Sequence, residues 1–202
     1  MIVKDLGLVD YQPTCEAMRK LTAERDANTE DELWLLEHSP VFTLGLNGKD
    51  EHVLNTHDIP LVNTDRGGQV TFHGPGQLVV YTLIDLKRQK IGVREMISRI
   101  ENSVISMLAK LDVRAQSRAD APGVYVDGRK IASLGLRVKH GACYHGLSLN
   151  VAMDLTPFSY INPCGFQGLE VIDLKSLACD ITMDEAKEKF VSEFNQQMRK
   201  SI

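Results

Sequence analysis

A cysteine held between a proline and a glycine has the features of a presented nucleophile. Cys164 lies in the segment Asn162-Pro163-Cys164-Gly165, where proline restricts the chain and glycine leaves the sulfur uncrowded. A loop of this composition offers little apolar packing, so it favours a functional thiol. The remaining cysteines lie inside periodic segments and are expected to be inert packing residues, namely Cys15, Cys143 and Cys179.

A cysteine nucleophile needs a group that favours its thiolate form. An ordinary thiol, with a pKa near 8.5, is only a few per cent thiolate at neutral pH, and a neighbouring ammonium increases that fraction. Lys130, just after the Asp127-Gly128 turn, is the candidate, and a solvated hairpin lysine is the alternative. His73 is an alternative or additional base, or else a structural hydrogen-bonding histidine.

The segment Arg66–Gln77, RGGQVTFHGPGQ, has the composition of a ligand-binding loop. It contains four glycines, which let a backbone approach a ligand closely, and the polar side chains of Arg66, Thr71 and His73. A plain Gly-Pro turn between two strands is the alternative. Two further clusters, GRKIASLG at 128–135 and INPCG at 161–165, favour the ligand-binding interpretation.

Two further glycines interrupt strand patterns. Ser133-Leu134-Gly135 and Gly146-Leu147-Ser148 indicate close backbone approach, or simple bulges. Cys143 and His145 could be two metal ligands, but two residues at this spacing with no second pair are weak support for a metal site. We therefore expect no metal.

Composition excludes several classes of protein. The chain has 202 residues, 43% hydrophobic and 25% charged, with a net charge of −4. This composition is typical of a soluble globular domain, which we expect to span residues 1–202, and disfavours a nucleic-acid partner. No secretory signal, membrane span or disulfide framework is expected, so we predict a cytoplasmic protein with reduced thiols.

Strands dominate the middle of the chain and helices flank them. Helices are predicted over residues 11–27 with Asp10 as the cap, over 92–111, and over 182–198 with a Thr182/Glu185 capping box. Strands are predicted at 2–8, 32–37, 41–44, 59–63, 78–84, 124–126, from 131 to 138, and 144–151. Residues 66–77 and 153–170 are predicted loops. The pattern indicates a mixed sheet with packed helices, an α/β or α+β fold.

Four motifs occur in order: RGGQVTFHGPGQ, RADAPGVYVDGRKIASLG, HGLSLNV and INPCG. With them the chain, from about Glu32 to Gly168, closely resembles the lipoyl(octanoyl) transferases. The resemblance implies the fold of the lipoate and biotin protein ligases, a mixed sheet flanked by helices. It also implies transfer of an octanoyl group from octanoyl-acyl carrier protein to a lysine of a lipoyl domain, the first step of endogenous protein lipoylation.

The resemblance also implies roles for individual residues. Cys164 would take the acyl group as a thioester, and Lys130 would tune the thiol and handle protons, with His73 as the further catalytic candidate. The segments implied to line the acyl site are Arg66, Gly67, Gly68, Gln69, Val70, Thr71, Phe72, His73, Ser133, Leu134, Gly135, Gly146, Leu147 and Ser148.

Energetics agree with this chemistry. Exchange of one thioester for another is nearly balanced and amide formation runs downhill, so no ATP or other cofactor is expected, and the chain lacks a GxxxxGK[ST] loop. Burying about seven acyl carbons, at ~0.8 kcal/mol each, would provide roughly 5 kcal/mol of binding. A pocket of fixed depth would discriminate acyl length by about 1–3 kcal/mol per methylene.

The expected acceptors are the lipoyl domains of 2-oxoacid dehydrogenase E2 subunits and the glycine cleavage H protein, with no membrane partner. A basic run at Lys87, Arg88, Lys90 and Arg94 is interpreted as a solvated face, with carrier docking as the alternative. Three rival functions stay open: an ATP-dependent lipoate or biotin ligase, a non-catalytic lipoyl-domain binding module, and a cysteine thioesterase.

Overall fold

Two sheets organise residues 1–200, the part of the chain that the computed structural model describes. The predicted span 1–202 thus extends two residues beyond the described part. The strands are β1 (Ile2–Val9), β2 (Glu32–His38), β3 (Val41–Leu44), β4 (Leu61–Asn63), β5 (Val70–His73), β6 (Gln77–Asp85), β7 (Gln116–Ser117), β8 (Gly123–Val126), β9 (Arg129–Lys139) and β10 (Ala142–Asn150). The helices are α1 (Tyr11–Glu24), α2 (Leu86–Gln89), α3 (Val93–Ala109) and α4 (Met183–Met198).

Both sheets are mixed. The larger has the order β1-β2-β6-β10-β9-β8-β7, and its β1–β2 pair is parallel whereas its other pairs are antiparallel. The smaller has the order β4-β3-β5, with one parallel and one antiparallel pair. The predicted fold class, a mixed sheet with flanking helices, is confirmed.

The two faces of the large sheet are buried differently. One face packs against α3 and α4 through an aliphatic core that includes Val80, Ile100 and Phe190. The other packs against α1 and is richer in aromatic and polar groups, with Tyr11 and Tyr81 among its core residues. Alternate residues of each strand point to opposite faces of the sheet. Because both faces are buried, the sequences of the central strands are continuous apolar runs.

Helix α1 begins at Tyr11, as predicted, but departs from its prediction at its C-terminal end and in the bonding of its cap. It stops at Glu24 rather than near residue 27. Asp10 occupies the N-cap position, but its side chain makes no capping bond and instead accepts a hydrogen bond from the Ser39 hydroxyl, at 2.8 Å. The predicted capping box of α4 is confirmed, because Thr182 and Glu185 bond reciprocally.

The segment 66–77 is only partly a loop. Val70–His73 forms strand β5, which pairs with β3. Strand alternation explains why Phe72 leaves the predicted site: its ring packs against Phe42 and Phe158 in a separate core. No helix within residues 1–200 is both long and apolar enough to cross a membrane.

Candidate active site

The loop that carries Cys164 is fixed from several sides. Asn162 N–H donates to the carbonyl of His52 at 2.8 Å, and Gly165 N–H donates back to the carbonyl of Asn162 at 2.9 Å. Between them Cys164 adopts φ +57°, a left-handed conformation that costs free energy for a residue with a Cβ. The Cys164 side chain is half-buried at this turn, so its thiol is presented rather than packed.

Lys130 reaches this thiol although 34 residues separate them. Its Nζ donates to Cys164 Sγ at 2.8 Å, and the side chain is almost fully buried, with 2% of the residue exposed. Its backbone explains the meeting: Lys130 bridges Val171, accepting from Ile172 N–H and donating to the Glu170 carbonyl. The segment after Cys164 therefore runs beside the start of β9.

A cavity of about 370 Å³ opens at this pair. Its size falls in the range of small-molecule sites. The floor is built from cross-strand pairs of small residues, Ser133 opposite Ser148 and Gly135 opposite Gly146. Across the cavity the backbone approaches closely, because a Cβ at Gly135 would lie 2.8 Å from the Gly67 carbonyl oxygen. The glycine-rich segment therefore packs directly on the sheet at Gly135 and forms a further wall of the cavity.

Arg66 fixes the glycine-rich segment at this cavity. Its guanidinium donates to the carbonyls of Gly67 and Gln69, at 2.9 and 2.8 Å, and to the carbonyl and hydroxyl of Thr43. No carboxylate oxygen of residues 1–200 lies within 4 Å of it. Burial lowers the pKa of Arg66, yet the group keeps its charge at physiological pH. A buried cation therefore stands in the cavity wall.

His73 is part of a buried hydrogen-bond network. Its Nδ1 lies 2.7 Å from Gln77 Oε1 and its Nε2 lies 3.4 Å from the Thr43 hydroxyl. Gln77 in turn donates to Asn150 at 2.9 Å. Burial, together with the nearby His38 and Arg66, lowers the pKa of His73 to about 3. Since both ring nitrogens have neighbours and the ring is neutral, this geometry favours the structural alternative.

His145 lies on the cavity side of the sheet, away from Cys143. Its φ of +61° breaks the strand alternation, so the two side chains do not share a face, and the metal pair weighed above does not form. His145 Nε2 lies 3.0 Å from Asp65, which also accepts from Tyr144 and Arg19. Cys15, Asp65 and His145 form a cluster whose possible metal-donor atoms lie within 4.8 Å of one another. The Asp65 carboxylate of this cluster is already paired with Arg19.

Fifteen of the sixteen predicted site residues line this one cavity, and Phe72 is the exception. The sequence missed several other wall residues, namely Tyr11, Asn47, Val79, Tyr81, Val93, Ile97, Asp120, Ala121, Pro122, Leu136, His145 and Phe166. Most carry no local signal, because strand pairing and helix packing bring them here. Pro122 and Asp120 belong to a motif that the sequence did single out.

The basic run has a structural explanation. Arg88 donates to Asp31 Oδ1 at 2.6 Å and to the Thr29 carbonyl at 2.9 Å, so its charge is already paired. This pairing favours the interpretation of the run as part of a solvated, structural face.

Comparison with known proteins gives the family. Residues 10–195 match the family model described as the lipoyl protein ligase A/B catalytic domain. An octanoyltransferase of Chromobacterium violaceum is 58% identical over 200 residues, which is 99% of this chain and 97% of that protein. An octanoyltransferase of Shewanella baltica is 56% identical over 194 residues, covering 96% of this chain and 89% of the relative.

Solved structures share the fold at low identity. Lipoate-protein ligase A bound with ATP superposes with a TM-score of 0.79 at 14% identity, covering 98% of this chain and 86% of that one. Biotin protein ligase from Aquifex aeolicus gives a TM-score of 0.62 at 11% identity, covering 98% and 69%. The resemblance seen in the four motifs is confirmed: the chain belongs to the octanoyltransferases of the lipoyl protein ligase A/B catalytic-domain family.

Proposed function

We propose that this acyltransferase moves an octanoyl group from octanoyl-acyl carrier protein to the target lysine of lipoyl domains through a thioester on Cys164. The proposed acceptors are the lipoyl domains of 2-oxoacid dehydrogenase E2 subunits and the glycine cleavage H protein. The observation that carries the proposal is the 2.8 Å contact between Lys130 Nζ and Cys164 Sγ at the opening of an acyl-sized cavity.

In the first step Cys164 takes the acyl group. The thiolate attacks the carbonyl carbon of the donor thioester, a new carbon–sulfur bond forms, and the bond to the carrier's sulfur breaks. The Lys130 ammonium can give its proton to the departing thiolate, which leaves as the neutral carrier thiol. Lys130 is then neutral, and it regains a proton in the second step.

In the second step the acyl group passes to the acceptor. The amine of the acceptor lysine attacks the Cys164 thioester, and neutral Lys130 takes the proton that the new amide nitrogen must lose. The carbon–sulfur bond breaks and Cys164 leaves as a thiolate. One proton thus moves from Lys130 to the carrier and one returns from the acceptor, so the enzyme ends in its starting state.

The cavity supports the acyl specificity. The small side chains of Ser133 and Ser148, which face each other on two neighbouring strands, leave room for a saturated chain on the cavity floor. Tyr11, Tyr81 and His145 close part of the wall, and side chains of this size limit the length of the chain that fits. His73 holds strand β5 in place through Gln77 rather than acting as a base.

The compartment follows from the chemistry. All four cysteines are free, and a transferase that depends on one thiol needs a reducing environment. We therefore extend the proposal to a cytoplasmic reaction.

The test is a transfer reaction without ATP. Octanoyl-acyl carrier protein and an unmodified lipoyl domain are incubated with the enzyme, and both proteins are weighed by mass spectrometry. The proposal predicts that octanoyl moves from carrier to lipoyl domain. A strict requirement for ATP would indicate a ligase, release of free octanoate a thioesterase, and binding without modification a non-catalytic module.

A further inference from the structure

Glu101 is a buried acid next to the reactive pair that has no role in the steps above. It lies in the middle of α3, and only 8% of the residue is exposed. Most buried acids of residues 1–200 have an ion-pair partner within 4 Å, whereas Glu101 and Asp173 have none. Asp173 caps a turn by accepting from Ser176, so its place is explained locally. Glu101 has no such local explanation.

The carboxylate of Glu101 fixes the backbone beneath Lys130. Its Oε1 accepts the N–H of Gly123, the first residue of β8, at 2.9 Å. Gly123 has φ +147°, and a Cβ there would lie 2.5 Å from Cε and 3.2 Å from Nζ of Lys130. The lysine side chain therefore runs across a glycine whose N–H is held by Glu101. The ends of both side chains approach this single residue.

The charges around Lys130 are unbalanced once Cys164 is acylated. Nζ faces the Cys164 sulfur and lies 5.3 Å from the centre of the Tyr125 ring. Arg118 lies over the same ring and pairs with Asp120 at 2.7 Å, so these two largely cancel. Arg66 adds a buried cation in the opposite wall.

The charge of Glu101 interacts with that of Lys130. Burial raises the pKa of Glu101, while the Gly123 N–H and the Lys130 ammonium lower it. Acylation converts the thiolate into a neutral thioester and leaves Glu101 as the nearby carboxylate without a cation of its own.

We propose that Glu101 is a positioning residue of the transfer reaction: it anchors Gly123 beneath Lys130, and its charge sets the pH at which Lys130 becomes neutral in the acyl-enzyme. The inference rests on the proposed function. A negative charge favours the ammonium form, so Glu101 keeps Lys130 a strong proton acceptor and raises the pH needed to free its lone pair. Removing only the charge must shift this pH downward.

The test uses Glu101→Gln, whose amide oxygen can still accept from Gly123. The acyl-enzyme is formed first with an octanoyl thioester and then mixed with one acceptor lipoyl domain between pH 6 and 10. Loss of the Cys164 adduct is followed by mass spectrometry. We expect the midpoint of the rate rise to lie about one pH unit lower in the variant. The variant would then discharge several-fold faster below the midpoint and reach a lower plateau above it.

The outcomes separate the possible roles. A purely structural Glu101 would lower the rate at every pH without moving the midpoint, and an unmoved midpoint overturns the inference. Glu95→Gln removes an exposed charge from the same helix and should leave the midpoint unchanged. Should the Gln variant not fold, the pair Glu101→Asp and Glu101→Asn makes the same charge comparison. No adduct in the unaltered protein would refute the proposed function itself.

Discussion

Cys143 and Cys164 place the same side chain in two opposite environments within one molecule. Cys143 lies in the regular part of β10 with its sulfur fully buried, and it donates to the Thr82 carbonyl at 3.2 Å. Burial raises the pKa of Cys143 to about 11. Cys164 lies in a left-handed turn at a cavity, with an ammonium nitrogen 2.8 Å from its sulfur.

The difference teaches that backbone and charge, rather than residue type, set the environment of each thiol, and it supports the proposal that Cys164 is the nucleophile. Inside the sheet, neighbouring strands exclude both water and cations, so the thiolate of Cys143 has nothing to stabilise it. At the turn, unfavourable backbone geometry exposes the sulfur, and β9 delivers a cation from the other side. We therefore expect changes at the turn to abolish chemistry and changes in the sheet to affect stability.

The largest effect on the transfer rate is expected from removing the sulfur of Cys164, with removal of the Cys143 sulfur as the comparison. Cys164→Ala should abolish octanoyl transfer and leave no acyl adduct, because no other group can form the thioester. Cys143→Ala should keep the transfer rate and lower the free energy of unfolding by about 1 kcal/mol, through the small cavity it leaves. Transfer rates and urea unfolding of both variants check this. Normal turnover by Cys164→Ala would remove the contrast altogether.

The second-largest loss of transfer rate is expected from removing the amine of Lys130 next to the turn. Lys130→Met fills similar space without an amine, and we expect transfer to fall by about 10²–10⁴-fold, the usual contribution of a positioned acid or base. Lys139→Met, at the exposed end of the same strand, should change little. A rate within threefold of the unaltered enzyme would show that Lys130 is not the proton carrier.

Alkylation compares the two thiols directly in one sample. Iodoacetamide at pH 7 to 8 should label Cys164 and leave Cys143 unmodified until the protein unfolds. With a pKa near 11, Cys143 would be about 1 in 10³ thiolate at pH 8 even if the reagent could reach it. Peptide mapping after timed labelling measures both rates. Equal labelling of the two residues would contradict the assigned environments.

The depth of the cavity can be altered at one of its small residues. Ser133→Leu places a larger side chain on the floor beside Ser148, so the preferred acyl chain should shorten. We expect roughly tenfold loss with octanoyl donors and little loss with shorter ones, as about 1–3 kcal/mol per methylene implies. Ser133→Ala is the control and should keep the octanoyl preference. An unchanged length profile in the Leu variant would place the acyl chain elsewhere.

The smallest effect concerns the buried imidazoles on the cavity side. Burial lowers the pKa of His38 to about 4 and of His73 to about 3. Below about pH 6.5 these two histidines are therefore protonated in the unfolded chain but still neutral in the folded protein. Their stability contribution is complete above about pH 6.5 and is lost as the pH falls toward 3. Each should add about 1.4 kcal/mol per pH unit to the slope of unfolding free energy.

Urea unfolding at pH 5, 6 and 7 measures this slope. His73→Gln should flatten it by one histidine's share, whereas the exposed His57→Gln should not. A slope that is the same in both variants would show that His73 is not buried as a neutral ring.

Local signals in the sequence predicted several of the elements that position the candidate site. The Pro-Cys-Gly turn, the Asp127-Gly128 hairpin and the α4 capping box each depend on neighbouring residues, so they were predictable. The bridge between Lys130 and Val171 joins distant segments, and no spacing indicates it. The left-handed His145 was also unpredictable, because glycine rather than histidine usually marks that conformation.

Other errors share a physical cause. In the segment 66–77 the abundance of glycine hid the strand at Val70–His73, which exists because β3 supplies its partners. That strand directs the Phe72 side chain into a separate core. Phe72 therefore lies outside the cavity, although its motif position predicted it at the site. Glu101 carries no local signal in the sequence, because only packing brings α3 against Gly123, the glycine that the Lys130 side chain crosses.

The central claim is that the octanoyl group stops on Cys164 on its way between two proteins. Rapid mixing of the enzyme with octanoyl-acyl carrier protein, without ATP, followed by peptide mass analysis, locates any adduct and times its discharge to a lipoyl domain. We predict an adduct on Cys164 that forms and decays at least as fast as overall turnover. Octanoylated lipoyl domain appearing with no adduct, or faster than the adduct decays, would contradict it.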